Sequence, residues 1–293
     1  MPERNYAADD PDRPLTSDER RTYNQQLKAY YEHTMSEGQG AFFTIKAGQI
    51  TPTRMGRHWL REHRQIFDRW LDLQSSDVFV DVGCGEGYYT TYVARHGAKT
   101  IGIDVSSSVL RLLYTINWPY PVTLTTINSD VEILPIASES VDKVLCSHTL
   151  EHVLDDRRVL AEIRRILKPS GIAVLAIPLK YTLPNAALNA VIGLGRAILK
   201  PGKKPAPRLP AGVLNRSLIG VRSHIRHYSV AAFHQRITDT GLQIEQTAGV
   251  WFHDPRNWLV YQTQPRWLLY EIGTRLSKRW PTLGSALVVK VRK

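Results

Sequence analysis

The stretch VFVDVGCGEGYYT, residues 78–90, constrains the fold more than any other part of the chain. Apolar residues end in an acid, Asp81, and Gly83, Gly85 and Gly87 then fall on alternate positions. Glycine accepts the left-handed backbone of a tight turn and lets a ligand approach the main chain, so this spacing predicts a strand that turns at once into a helix. The free N–H groups of that helix's first turn suit an anionic group. A dinucleotide site spaces its glycines G-x-G-x-x-G; the run here is one residue tighter.

Strand and helix patterns continue to alternate beyond the loop. KTIGIDV, PVTLTTI, VDKVLCSH and IAVLAIP read as strands, with SSVLRLLYTI and the amphipathic DDRRVLAEIRRIL as helices between them. Such alternation is the signature of a doubly wound parallel sheet. Upstream, residues 18–34 and 53–73 carry helical spacing, and GQGAFFTIKAGQITP between them reads as loop. Downstream, LPNAALNAVIGLGRAILK and the proline-rich PGKKPAPRLPAG break the alternation, which SVAAFHQRITDTG (helix), LQIEQTAGVW (strand), RWLLYEIGTRLSKRW (helix) and GSALVVKVRK (strand) resume. The expected divisions are a disordered tail at 1–17, a helical cap at 18–74, a ligand-binding core at 75–179, an insertion or lid at 180–228 and the rest of the core at 229–293.

Within the 293 residues no apolar run approaches the 18 or more that span a bilayer. The polar N-terminus lacks the apolar stretch of a signal peptide. The two cysteines, Cys84 and Cys146, have no metal-ligand spacing, and no residue set is assigned to a metal; the cytoplasm is the expected location. The net charge of +11 is uneven: residues 181–293 hold 17 Lys and Arg against 4 Asp and Glu, and residues 1–180 hold 21 against 23. That field favours an anionic partner, and ordinary solvated side chains are the plain alternative.

The glycine loop behind Asp81 resembles the first motif of class I S-adenosylmethionine-dependent methyltransferases, in the small-molecule and lipid branch (methyltransferase type 11, UbiE/UbiG-like). Asp104 in IGIDVS, Asp130 in NSDVEILP, the segment SESVDKVLCSHTLEHV and RRILKPSG match further family motifs in order. The resemblance implies a Rossmann-like α/β fold: a seven-stranded, mostly parallel sheet with helices on both faces, an antiparallel last strand, an N-terminal helical extension and an insertion after the fifth strand. It implies S-adenosylmethionine as cofactor. Asp81, Gly83, Cys84, Gly85 and Gly87 would meet its methionine part, Asp104 and Val105 the ribose side, Asp130 and Val131 the adenine, and Ser147 would lie at the end of the fourth strand. Taken alone, the glycines could be turn residues and Asp104 a helix cap.

Methyl transfer needs alignment above all, and a base only for an acceptor that holds its proton. His148, His227 and Tyr228 are the catalytic candidates. His152 and His224 lie beside them, and Tyr30, Tyr31 and His33 fit a helix folded over the site or one that is simply packed. The expected acceptor is a small molecule or lipid-like compound, methylated at oxygen or carbon. SHTL stands where a base methyltransferase carries an Asn- or Asp-Pro-Pro-aromatic motif, so nucleic acid, RNA included, is the second reading and a non-catalytic binder the third. The apolar helix at 185–199, followed by Lys200, Lys203, Lys204 and Arg208, fits either a lid or peripheral contact with an anionic membrane at its inner face.

Overall fold

The computed structural model describes residues 16–36, 43–46, 49–52, 54–117, 124–179, 224–250 and 273–293. The 185–199 helix, its basic neighbours and the N-terminal tail lie outside the described residues. α1 spans Ser17–Ser36, and a hairpin of β1 (Phe43–Lys46) and β2 (Gln49–Pro52) precedes α2 (Arg54–Leu71). This hairpin corrects the reading of 38–52 as loop: Phe43 and Ile45 alternate with polar neighbours, and two residues, Ala47 and Gly48, separate strands that pair antiparallel.

The core then runs β3 (Val78–Val82), α3 (Tyr88–Arg95), β4 (Lys99–Asp104), α4 (Ser107–Asn117), β5 (Leu124–Asn128), β6 (Val141–Ser147), α5 (Asp156–Ile166), β7 (Leu167–Pro178), α6 (Val230–Asp239), β8 (Gln243–Val250) and β9 (Ala286–Arg292). The sheet order is β5-β4-β3-β6-β7-β9-β8. Strands β5 to β7 are parallel and β9 is antiparallel to both neighbours, so the expected seven-stranded sheet with an antiparallel last strand is present. The chain leaves β3 toward β4 on one side and returns to β6 on the other. Ligands of open α/β sheets bind at such a reversal, beyond the carboxyl ends of the strands.

Period-two burial on both faces holds the layers together. Val80, Val82, Val144, Cys146, Leu175, Ile177 and Val289 face α5 and α6, where Leu160, Ile163, Phe233 and Ile237 meet them. Phe79, Leu145, Val174, Ala176 and Val288 point to the opposite face, against Ile66, Phe67, Trp70 and Leu71 of α2 and Tyr89 and Val93 of α3. Each such aliphatic or aromatic side chain contributes about 1.5–3 kcal/mol of burial. Asp155 caps α5 by accepting from the Arg158 N–H at 3.0 Å, and Ser229 caps α6 through Ala232 N–H at 3.2 Å.

The described part of the basic C-terminal region is largely matched by acids of the same chain. Arg226 and Arg236 face Asp156, Lys278 faces Glu62, Lys290 and Arg292 face Glu245, and Lys293 faces Glu139. No described helix is long and apolar enough to cross a membrane.

Candidate active site

The glycine loop joins β3 to α3 and folds back on β4. Gly83 and Cys84 donate their N–H groups to the Ile103 carbonyl at 2.8 and 2.9 Å, and Gly87 donates to Cys84 at 2.9 Å. Gly83 and Gly85 have φ of 74° and 50°, a region in which side chains strain the backbone. Their surroundings differ. A Cβ on Gly83 would lie 2.3 Å from Thr149 Oγ1, whereas nothing lies within 4 Å of a Cβ on Gly85. Gly83 is therefore packed shut, and Gly85 borders open space.

Asp104 ends β4 beneath that opening. Its carboxylate accepts from Gly85 N–H at 3.0 Å and Ser106 N–H at 2.9 Å. A carboxylate has about four lone-pair sites, so each oxygen retains capacity for a ligand hydroxyl. Asp81 is buried and accepts from the Thr90 hydroxyl at 2.6 Å. Burial pushes its carboxyl up to about 7, the Thr90 hydrogen bond opposes the rise and the Asp104 charge adds to it. The Cys84 sulfur lies beneath the loop, where a Cβ on Gly102 would meet it at 3.1 Å, so this residue can offer a ligand only its main chain.

Asp130, the acid expected at the adenine, lies under α1. Asp130 accepts from the Asn24 side-chain amide at 3.1 Å and from Glu132 N–H at 2.9 Å. α1 is tied down further by Arg20, 2.6 Å from Glu132, and by Tyr23, whose hydroxyl donates to the His152 carbonyl. A cleft of about 390 Å³ runs between α1 and the sheet, lined by Arg21, Asn24, Lys28, Val105, Asn128 and Asp130. Val131 is buried in the core below it. The side chains of Tyr30, Tyr31 and His33 lie outside the described residues.

The ends of β6 and the segment 224–228 make the second half of the site. Ser147 closes β6 with a buried hydroxyl lacking a hydrogen-bond partner. His148 has a φ of 55° and points its Nδ1 toward Glu151 Oε1 at 3.4 Å, with its Nε2 3.4 Å from His63 Nε2 of α2. Burial pushes His148 down to about 4 and lowers His224, while it raises the Glu151 carboxyl. His152 Nε2 is 3.7 Å from Glu151 Oε1, and the His152 and His224 rings stand edge to face at 4.8 Å. His227 is half-buried near His224, whose titration its charge influences.

Tyr228 is a correction. It is fully buried, and its hydroxyl donates to Asp156 at 2.7 Å and to the Leu150 carbonyl at 3.2 Å, so it cannot reach an acceptor. Arg226 has the same direction two residues earlier: its guanidinium donates to the carbonyls of Val153 and Leu154 at 2.9 and 3.0 Å. Ile225 N–H donates to the Glu151 carbonyl at 3.0 Å. His224, Arg226 and Tyr228 thus face the 150–154 loop with the alternation of an extended strand. The sequence reading named the two histidines but passed over Glu151, Arg226 and Asp156; the spacing H-x-R-x-Y, polar on every second residue of an extended segment, was the available signal.

Residues 80–175 match a family model described as a methyltransferase domain. The chain is 24% identical over 196 residues to a protein of Mycolicibacterium smegmatis named a probable S-adenosylmethionine-dependent methyltransferase, covering 67% of this chain and 63% of that one. It is 32% identical over 107 residues to a ubiquinone biosynthesis O-methyltransferase of Coxiella burnetii, covering 36% and 45%. The chain therefore spans less than two thirds of these relatives' lengths. Among solved structures, the [4+2]-cyclase SpnF aligns over 96% of this chain and 98% of its own with a TM-score of 0.59 at 15% identity. An S-adenosylmethionine-dependent methyltransferase from Mesorhizobium loti aligns over 80% and 97% with a TM-score of 0.51 at 19% identity. At these identities the structural likeness shows the fold alone.

Proposed function

We infer, from the match of residues 80–175 to a methyltransferase-domain family model, that this chain is an S-adenosylmethionine-dependent methyltransferase acting on a small-molecule or lipid-like acceptor at oxygen or carbon. The observation that carries the reading is the Asp104 carboxylate at the end of β4, bonded to the Gly85 N–H beside the open space at Gly85. When bound, S-adenosylmethionine supplies an electrophilic methyl group on a sulfonium. Asp104 would hold the ribose hydroxyls, Asp81 in its ionised form would attract the amino end, and Asn24 with Asp130 would frame the adenine. Tyr23 and Arg20 anchor α1 above the cleft. His148, uncharged and at the end of β6, would accept the proton that a hydroxyl acceptor releases; its imidazolium would then face the Glu151 carboxylate. SHTL at residues 147–150, where a base methyltransferase carries an Asn- or Asp-Pro-Pro-aromatic motif, weighs against a nucleic-acid acceptor.

The test is transfer of labelled methyl from S-adenosylmethionine into a host-cell extract, followed by separation into organic, aqueous small-molecule, nucleic-acid and protein fractions. Label in the organic or aqueous small-molecule fraction is expected. Label confined to nucleic acid or protein would overturn the acceptor class.

A further inference from the structure

Glu151 is fully buried, and neither of its carboxylate oxygens has a hydrogen-bond donor. Leaving a carboxylate in that state is expensive, because burial removes the water that would satisfy it. Its surroundings are unusual for a core acid: one donor atom each from Glu151, His152 and His224 lies within 4.8 Å of the others. We propose that Glu151, His152 and His224 form a divalent transition-metal site beside the acceptor, with His148 on its open side.

The donor set suits such an ion. One carboxylate oxygen and two imidazole nitrogens match the three-ligand sites of zinc and of neighbouring first-row metals, which leave one or more positions for water or substrate. Bonds of roughly 2.0–2.2 Å set donors about 3.5 Å apart in a tetrahedral site, so the side chains must close by on the order of 1 Å. The two segments that supply the ligands are already fastened together by the Ile225 to Glu151 main-chain bond and the Arg226 contacts with the 150–154 loop. The main chain at His152 is also held from α1, since its carbonyl receives the Tyr23 hydroxyl.

The role follows from position and rests on the methyltransferase reading. The open coordination positions would face the carboxyl end of β6, where the acceptor meets the cofactor. An acceptor oxygen bound there would be polarised and would release its proton more readily, which favours hydroxylated acceptors and transfer to oxygen.

The full chain, stripped of metal by chelator dialysis, is titrated with Co²⁺ and followed by its visible absorption, with Zn²⁺ as competitor. Saturation near one equivalent with displacement by Zn²⁺ is expected, and His152→Ala and His224→Ala should each weaken binding at least about tenfold. Absence of saturable Co²⁺ binding, or equal binding by wild type and both variants, would overturn the site. Glu151→Gln puts core folding at risk, so the two histidine variants carry the test, with retained calorimetric binding of S-adenosylmethionine as the measure that they are folded. Failure of wild-type protein to bind S-adenosylmethionine would strike the methyltransferase reading and leave the metal result standing.

Discussion

The two sides of the proposed site, for cofactor and for acceptor, differ in how far apart in the chain their parts lie. On the cofactor side, Asp81, the glycine loop and Asp104 fall within 24 consecutive residues, and their hydrogen bonds close locally: Gly83 and Cys84 on Ile103, Gly85 on Asp104. On the acceptor side, His63 of α2, the 147–156 loop and the 224–228 segment meet across as many as 165 positions. There the main chain is held by long-range contacts, and a carboxylate is left without a donor. A local, self-satisfied shelf can be shared by many proteins of one fold, whereas a pocket gathered from distant segments can change its chemistry without disturbing that shelf.

The largest expected effect tests how the acceptor side is fastened. Arg226→Ala removes the donor to the Val153 and Leu154 carbonyls and a partner of the buried Asp156. Breaking a buried charge contact in this way costs about 3–5 kcal/mol, to be read from urea unfolding. A loss below about 1 kcal/mol would show that the 150–154 loop stands without its clamp.

On the cofactor side, Asp104→Ala should leave folding near wild type while weakening S-adenosylmethionine binding at least about 100-fold. Two hydrogen bonds to a charged group are lost, at roughly 1.5–3 kcal/mol each. Unchanged affinity in calorimetry would remove the ribose assignment.

The smallest effect separates Asp81 from its neighbours by pH. Burial raises this carboxyl to about 7 in the free protein, and an ammonium ligand needs it ionised. Binding then releases a proton, so affinity should rise with pH up to about 7 and level off above it, by at most about tenfold per pH unit. Asp81→Asn should flatten that dependence; a wild-type profile already flat between pH 6 and about 8 would exclude an ionised Asp81 from the contact.

Much of this contrast was legible in the residues. The near-continuous apolar runs VFVDV and IAVLAIP, buried on both faces, and the amphipathic repeat of DDRRVLAEIRRIL reproduce strands and a helix of the core, because each pattern reports its own solvent exposure over a short stretch. The hairpin at 43–52 was hidden because four-residue strands carry little periodicity beside three nearby glycines. Tyr228 is a catalytic candidate through the resemblance of RSHIRHYS to the family's entry into the following helix, and its depth and its bond to Asp156 are visible only in the structure. Six of the eight described basic residues in the last two-fifths face acids of the chain, among them Asp156, Glu62 and Glu245, pairings between distant positions that no local pattern carries.

Local sequence is enough to specify the sheet, the glycine shelf and the acids at the ends of β3 and β4, since these depend on neighbours a few residues away and on a backbone conformation that glycine adopts readily. Tertiary packing alone places α1 over Asp130, makes Arg226 and Tyr228 fastenings of the 150–154 loop, and sets Glu151 among His148, His152 and His224. Those relations depend on which distant segments share one buried volume, a property set by packing the whole chain and carried by no local pattern.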